Sequence, residues 1–583
     1  MANRRVFGLC VALLLLALGA QILFSVCTTS PTFDEPYHIV RSYVYLKTGD
    51  SALLARGGHP PFSNLLSVVP LLLRADIVLP THEPGWPDVR TFKDLFRVAD
   101  EFFWRLGNDA DSIVFWSRLP GLLLSAGLAV FVFLWAKQRE GVLAGLLALL
   151  LYAFDPNIIA HSSVVTTDLG ATFFIFVSIY CLWRFCQRPS WGRLVWTGVV
   201  FGLAQACKFS ALFLAPIFFV LLAVWTSDAQ GSLAKLALPG QRRLSNRRWL
   251  QRVYLVFGLC LVIFLTGACV LWAVYGFQTR PLLPHESSHP LLDRFIPAHN
   301  PIIRTAVYTL AENLPIPAPA YFSELVWLYN YSRAGHPSFL LGQYSRSGWW
   351  YYFPVAFAIK TPIPTLILLL SALCLSLRSR RCLSLTHRGK SRDEYFLLLP
   401  MALLFVASMF SSIDIGYRNI LPVLPLAFVY VSQVAPRVAN HWARLALVAL
   451  CVWYVIGTVT LSPHYLAYFN EFVGGPDNGY KYLADSNLDW GQDLKNLKKY
   501  MDAQGIGQLY LSYFGTADPG YYGISYLPMP SHPPAPDAAP AYYAISATSL
   551  QGVYAPDSSP AAWLAQYRPV SKVGYSIFIY HLP

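Results

Sequence analysis

The chain alternates long apolar runs with stretches where aromatic, acidic and basic residues crowd together. Eleven apolar runs predict membrane-spanning helices, at about 6–27, 113–136, 141–159, 166–185, 193–207, 210–226, 253–276, 353–377, 395–412, 417–434 and 443–462. A hydrocarbon core about 30 Å thick takes roughly 17 to 25 mostly apolar residues per span. The alternating apolar and polar segments of a barrel are missing, so the pattern predicts an all-α polytopic membrane helix bundle. Arg4-Arg5 before the first run suits a signal peptide, but no small-x-small site precedes Thr28, and the run reads as an uncleaved helix.

Composition agrees with this pattern. Of 583 residues, 55% are hydrophobic and 13% charged, against about 25% charged in ordinary soluble domains. Lys and Arg set the orientation. With a cytoplasmic N-terminus, the inside loops 1–5, 137–140, 184–193, 227–252, 378–394 and 436–444 hold 21 of the 44 basic residues. They hold four of the 31 acids, Glu140, Asp228, Asp393 and Glu394. The net charge of +13 is therefore a topology signal, and nucleic acid is not a predicted partner. The ten cysteines lie in or beside spans or in inside loops, so the outward segments hold no disulfide framework, and no Cys-x-x-Cys pair suggests structural zinc.

The outward segments are about 28–112, 277–352 and 463–583. Short amphipathic pieces near Pro61–Leu66 and Thr91–Trp104 predict helices lying along the membrane surface. A single sequon, Asn330-Tyr331-Ser332, falls in the second outward segment. The last segment predicts a small α/β domain: a helix near 488–504, strands near 508–514, 541–547 and 574–582, and a short helix near 560–566. The chain thus divides into a bundle, 1–462, and a C-terminal extracytoplasmic domain, 463–583. In "DSNLDWGQDL", Asp485, Asp489 and Asp493 stand at i, i+4, i+8, which places them on one face of a helix, either as acids favoured at its N-terminus or as a cation or acceptor site.

A charge at membrane depth costs at least about 2.5 to 3.5 kcal/mol on insertion scales, so each one is a candidate functional residue. Four qualify: Asp168 in "TTDLG", Lys208 in "ACKFS", Lys360 in "FAIKTP" and Arg418 in "GYRN". All fall on the outer side, with Asp34 and Glu35 of "PTFDEPYH". Cations and carboxylates meeting at one membrane face suit an anionic, lipid-anchored substrate. Each has a plainer reading: snorkelling for Lys208 and Arg418, helix capping for Asp168 and for the acid before Pro36. The Asp34–Glu35 pair also has the chemistry for a divalent cation, the one cofactor the residues suggest.

The Asp-Glu pair after the first span, His59-Pro60-Pro61-Phe62 in the first outward loop, "TTD" at the fourth span, "WWYYFPVAFAIKTP" and "GYRNILPVLP" together resemble the C superfamily (GT-C) of polytopic glycosyltransferases. Within it the chain is similar to the protein O-mannosyltransferase and lipid A aminoarabinose transferase group, which depends on phospholipid carriers. The resemblance extends to about residue 460. It implies transfer of a sugar from a polyprenyl phosphate to an acceptor hydroxyl on protein, lipid or glycan, with inversion, outside a bacterial inner membrane. It implies Asp34 as general base, Glu35 as its supporting acid and Asp168 as the second acidic site residue. Lys208, Lys360 and Arg418 would meet the phosphate, with His59 and Tyr37 among the substrate-binding residues. His59 stands where the aminoarabinose transferases carry Lys. A lipid or small-molecule transporter and a non-catalytic scaffold are the competing readings; the first requires inverted repeats and helices broken at the midplane.

Overall fold

The computed structural model describes the chain except residues 1, 50–56, 80–91, 228–247, 283–300, 382–392, 535–538, 555–562 and 583. Much of the basic loops 227–252 and 378–394 therefore lies outside the described residues. Each of the eleven apolar runs contains a helix, and the chain is a multi-pass membrane protein. Among the described residues six helices are long and apolar enough to cross a bilayer: Arg5–Thr28, Ala110–Glu140, Thr167–Gln187, Phe209–Thr226, Trp249–Val274 and His441–Val459. Two further runs are bent pairs, Val142–Ala153 with Pro156–Ser162 at 61°, and Tyr352–Lys360 with Ile363–Arg378 at 109°. Of the remaining three, Trp191–Gln205 has the length of its run, and Tyr395–Ser408 and Val423–Val431 are shorter than theirs. At 1.5 Å per residue even the first of these covers only about 22 Å.

The bends follow from the residues at them. Asp155 caps the second half of the first pair, its Oδ1 accepting from the amides of Asn157 and Ile158 at 3.0 and 2.9 Å, with Pro156 opening the helix. In the second pair Pro362 and Pro364 interrupt the ladder, and the freed carbonyls need donors where water is scarce. Asn470 supplies them. Its side-chain amide donates to Ala358 O at 2.7 Å and Thr361 O at 2.8 Å, and its backbone amide to Ile359 O at 2.8 Å. Asn157 covers Lys360 O at 2.8 Å. The segment that follows the last span thus returns into the bundle and closes the break.

Close helix packing depends on small residues. A Cβ on Gly202 would lie 2.5 Å from Gly267 O, and one on Gly198 would lie 2.9 Å from Ile263 O, so glycine lets Trp191–Gln205 seat directly on Arg248–Val274. On the outer side, Glu35–Thr48, Phe62–Val68 and Phe92–Asp100 form helices. Tyr37, Ile39, Tyr43, Val68, Leu95 and Phe102 bury a core of their own between them and the start of Ala110–Glu140.

The C-terminal stretch carries a five-stranded sheet in the order 526–528, 509–512, 541–546, 577–582, 571–573. The first two pairings are parallel and the last two antiparallel. The helix Leu494–Gln504 covers it through Leu494, Leu497 and Met501, packed with Leu509, Ala544 and Ile579. Two expectations change here. The helix predicted over 488–504 begins at Leu494, so Asp485, Asp489 and Asp493 share no helix face. Each is drawn to a different partner: Asp485 to the Tyr554 hydroxyl, Asp489 to the Thr548 amide at 2.8 Å, and Asp493 to the Ser576 hydroxyl at 2.6 Å. Near 560–566, where a short helix is expected, the described residues form a 3₁₀ turn at Leu564–Gln566.

Replacing Asn470 by Leu keeps the volume and removes both side-chain donors. Each buried carbonyl left without a partner costs about 1–3 kcal/mol. The thermal midpoint of the purified N470L protein should therefore fall well below wild type, and an unchanged midpoint would show that the break closes without Asn470.

Candidate active site

Asp34 stands immediately before the helix Glu35–Thr48, at the position where a carboxylate usually caps. It has helical dihedrals, and its side chain makes no capping bond. The carboxylate turns instead to Arg418, whose Nη1 lies 3.2 Å from Oδ2. Glu35 points the other way. Its Oε1 accepts from Arg118 Nε at 2.8 Å and the Val165 amide at 2.8 Å; its Oε2 accepts from Arg118 Nη2 at 2.6 Å and the Thr32 amide at 2.7 Å. Arg118 also donates to the carbonyls of Val26, Thr29 and Ser30. Both side chains are fully buried. A bidentate, fully bonded pair of this kind fixes the loop that presents Asp34.

Asp168 lies in the first turn of Thr167–Gln187, yet Thr166 is the cap, accepting from the Asp168 amide at 3.4 Å. The plainer reading of Asp168 as a cap therefore fails, and its carboxylate is free for Lys208. Lys208 Nζ lies 2.5 Å from Asp168 Oδ1 and 3.1 Å from Asn419 Oδ1. Arg418 Nη1 is 4.0 Å from Asp168 Oδ2, and its guanidinium lies 4.2 Å above the Trp490 ring. Lys208 and Arg418 keep 16% and 13% of their side chains exposed while Asp168 keeps 2%, so the cations border the solvent-accessible side. Burial raises the pKa of Asp34 above the ordinary carboxylate value even though Arg418 pulls it down.

Four of the expected residues, Asp34, Asp168, Lys208 and Arg418, thus converge from four separate parts of the chain. Lys360 and His59 depart from the expected part, and Glu35 supports Asp34 only through the loop. Lys360 donates to Leu466 O at 3.0 Å and to Asn487 O, and lies 4.6 Å over the Phe469 ring, so it tethers the returning C-terminal segment and has no hand free for phosphate. Glu35 is held by Arg118 as described. Asp34 and Glu35 consequently share no metal-binding edge, and among the described residues no group of three His, Cys, Asp or Glu converges as a metal site. Tyr37 packs in the outer core, its ring 4.1 Å from that of His38 and 5.2 Å from that of Phe96. His59 is buried beside Lys208 and Arg41; burial first, then those cations, push its pKa down to about 3, so it is neutral at ordinary pH and not the cation a phosphate asks for.

Arg118, Asn419, Trp490 and Tyr554 belong to the site or its support and were not among the expected residues; Asp485 was expected only as one of three acids on a helix face. Arg118 sits inside the second apolar run, and the cost of a charge at that depth was signal enough to find it. The others are ordinary polar and aromatic residues until the fold brings them in.

The family model described as dolichyl-phosphate-mannose-protein mannosyltransferase matches residues 101–239. That stretch contains Arg118, Asp168 and Lys208. No curated protein matches the chain in sequence. Solved structures that match include ArnT from Cupriavidus metallidurans bound to undecaprenyl phosphate, 13% identical over 98% of this chain and 97% of that chain, with a TM-score of 0.44. Another is the archaeal oligosaccharyltransferase AglB from Archaeoglobus fulgidus in complex with an inhibitory peptide and a dolichol-phosphate, 12% identical over 77% of this chain and 56% of that chain, with a TM-score of 0.41. Over residues 101–239 the chain is therefore similar to the dolichyl-phosphate-mannose-protein mannosyltransferase family.

Breaking the Glu35–Arg118 pair from one side leaves a buried charge without its partner, which costs about 3–5 kcal/mol. Glu35→Ala should therefore lower the unfolding midpoint sharply, and Glu35→Leu combined with Arg118→Leu should recover part of the loss. Equal midpoints for wild type and Glu35→Ala would contradict the anchoring role.

Proposed function

We propose that the chain transfers a sugar from a polyprenyl-phosphate carrier to an acceptor hydroxyl on the non-cytoplasmic face of a bacterial inner membrane, with inversion at the anomeric carbon. The observation that carries this reading is the meeting of two cations, Lys208 and Arg418, with two carboxylates, Asp34 and Asp168, at the partly exposed edge of one cluster. The excess of Lys and Arg in the opposite loops supports a cytoplasmic N-terminus and an outward C-terminal domain.

In this reaction the acceptor oxygen forms a bond to the anomeric carbon as the bond from that carbon to the phosphate oxygen breaks, and its electron pair leaves with the phosphate. Lys208 and Arg418 stabilise that charge. Asp34 takes the proton of the attacking hydroxyl, a role worth roughly 10²- to 10⁴-fold. Asp168 holds Lys208 in place. Glu35 acts through Arg118 and the loop, as a positioning residue.

The transporter reading gains one observation, the two broken helices. In a transporter the freed carbonyls coordinate cargo. Here Asn470 and Asn157 occupy them, which favours a fixed scaffold over a moving gate.

The test is transfer by the purified protein from a panel of synthetic polyprenyl-phosphate sugars. Asp34→Asn and Asp168→Asn should each lose at least about 100-fold in kcat/KM. Full activity in both variants removes the site assignment, and no transfer from any donor by wild type removes the reaction. The pH profile gives a second check. Asp34 accepts a proton only when ionised, and its pKa is raised, so activity falls with decreasing pH at a value above the usual carboxylate range. Arg418 lowers that pKa, so Arg418→Gln should move the acid limb of the kcat/KM profile to higher pH; a limb that stays in place would dissociate it from Asp34.

A further inference from the structure

The loop Ala484–Trp490 belongs to the C-terminal segment but is built into the site. Ser486 Oγ donates to Ile415 O at 2.7 Å, and Asn487 Oδ1 accepts from the Tyr417 amide at 2.9 Å, one residue before Arg418. Trp490 O accepts from the Phe33 amide at 2.8 Å, one residue before Asp34. Asp485 is 6% exposed and has a φ of +58°, a left-handed conformation that a side chain adopts only where its surroundings hold it. Its amide is fixed by the Thr548 hydroxyl at 3.1 Å, and its carboxylate accepts from the Ser486 amide and the Tyr554 hydroxyl. Asp485 is near enough to raise the pKa of Asp34 and to help hold Arg418 charged.

Aromatic rings continue this wall. Tyr554 stacks on Phe514 at 5.4 Å and 12°, and Phe514 stacks on Phe33 at 5.1 Å and 23°. The edge of His336 meets Tyr554 at 5.7 Å and Tyr331 at 5.7 Å. Tyr554 remains 46% exposed and Tyr331 36%, so packing has not consumed these rings. A carboxylate and a phenol hydroxyl set among partly exposed aromatic faces match a ring that carries hydroxyls on its rim and C–H groups on its faces.

We infer that Asp485 and Tyr554, with the partly exposed ring of Tyr331, form a subsite for a carbohydrate-type acceptor, through which the C-terminal domain completes the site beside Asp34. This inference rests on the proposed transfer reaction and adds the class of acceptor to it. Asp485 accepts a hydrogen bond from a hydroxyl of the acceptor ring, and the aromatic faces orient that ring toward Asp34.

The test uses the full chain in lipid nanodiscs, titrated with hexyl β-glucoside and followed by tryptophan fluorescence. Saturable binding is expected in wild type, weakened by about tenfold or more in Asp485→Asn and in Tyr554→Phe, since each loses a hydrogen-bonding group of the subsite. Tyr554→Phe keeps the ring and tests the hydroxyl without removing the stack on Phe514. In turnover with hexyl β-glucoside as acceptor, KM should rise while kcat changes little. Absence of saturable binding in wild type, or unchanged affinity in both variants, overturns the inference. So does binding of a serine-containing peptide that Asp485→Asn abolishes while glucoside binding survives. Because binding needs no donor, failure of the carrier reaction shows separately, as glucoside binding without transfer.

Discussion

The site rests on the pairing of charges where water is scarce. Arg118 and Glu35 are both completely buried, and every oxygen of Glu35 is engaged by Arg118, Thr32 or Val165. That engagement is what distinguishes two chemically similar neighbours. Fixing Glu35 inward fixes the start of its helix, and Asp34, one residue earlier, is left facing Arg418 without a capping task. One acid holds the loop so that the other can be offered to a reaction.

A second constraint joins the two parts of the chain. A helix broken inside a bundle leaves carbonyls that must find donors. Here Asn157 covers one carbonyl, but the other donors, on Asn470, and the carbonyls of Leu466 and Asn487 that hold Lys360 in return lie beyond the last span. The C-terminal part is therefore not a module appended to a finished bundle. Its sheet is connected through this segment to Phe33 and Tyr417, the residues just before Asp34 and Arg418, and the bonds made by Ser486, Asn487 and Trp490 place Asp485 and Trp490 at the site.

The sequence made some of this legible and hid the rest for identifiable reasons. Apolar runs report membrane helices because the cost of exposing a backbone to lipid depends little on which neighbours pack against it. Asp168, Lys208 and Arg418 were legible by the expense of a charge at depth, and they do converge. Lys360 carried the same signal with a different outcome, because its partners are carbonyls more than a hundred positions away and carbonyls leave no mark in a sequence. Asp485, Asp489 and Asp493 had helical spacing, but three separate tertiary partners outweighed a weak local preference. Two span lengths were also overread: the runs 395–412 and 417–434 carry the shorter helices Tyr395–Ser408 and Val423–Val431.

The electrostatics of the free site bear on the order of events in the proposed reaction. Lys208 and Arg418 face Asp34 and Asp168, with Asp485 close by, so a phosphate must compete for cations already in use. The contacts are unequal: Lys208 is 2.5 Å from Asp168, whereas Arg418 lies 3.2 Å from Asp34 and 4.0 Å from Asp168. In the proposed reaction Arg418, the more loosely paired cation, is the one more easily drawn to an incoming phosphate, with its guanidinium face resting on the Trp490 ring. As Arg418 turns, Asp34 loses the charge that lowers its pKa, while burial continues to raise it. Its affinity for a proton then increases when the donor is seated, which couples the strength of the base to the presence of the leaving group.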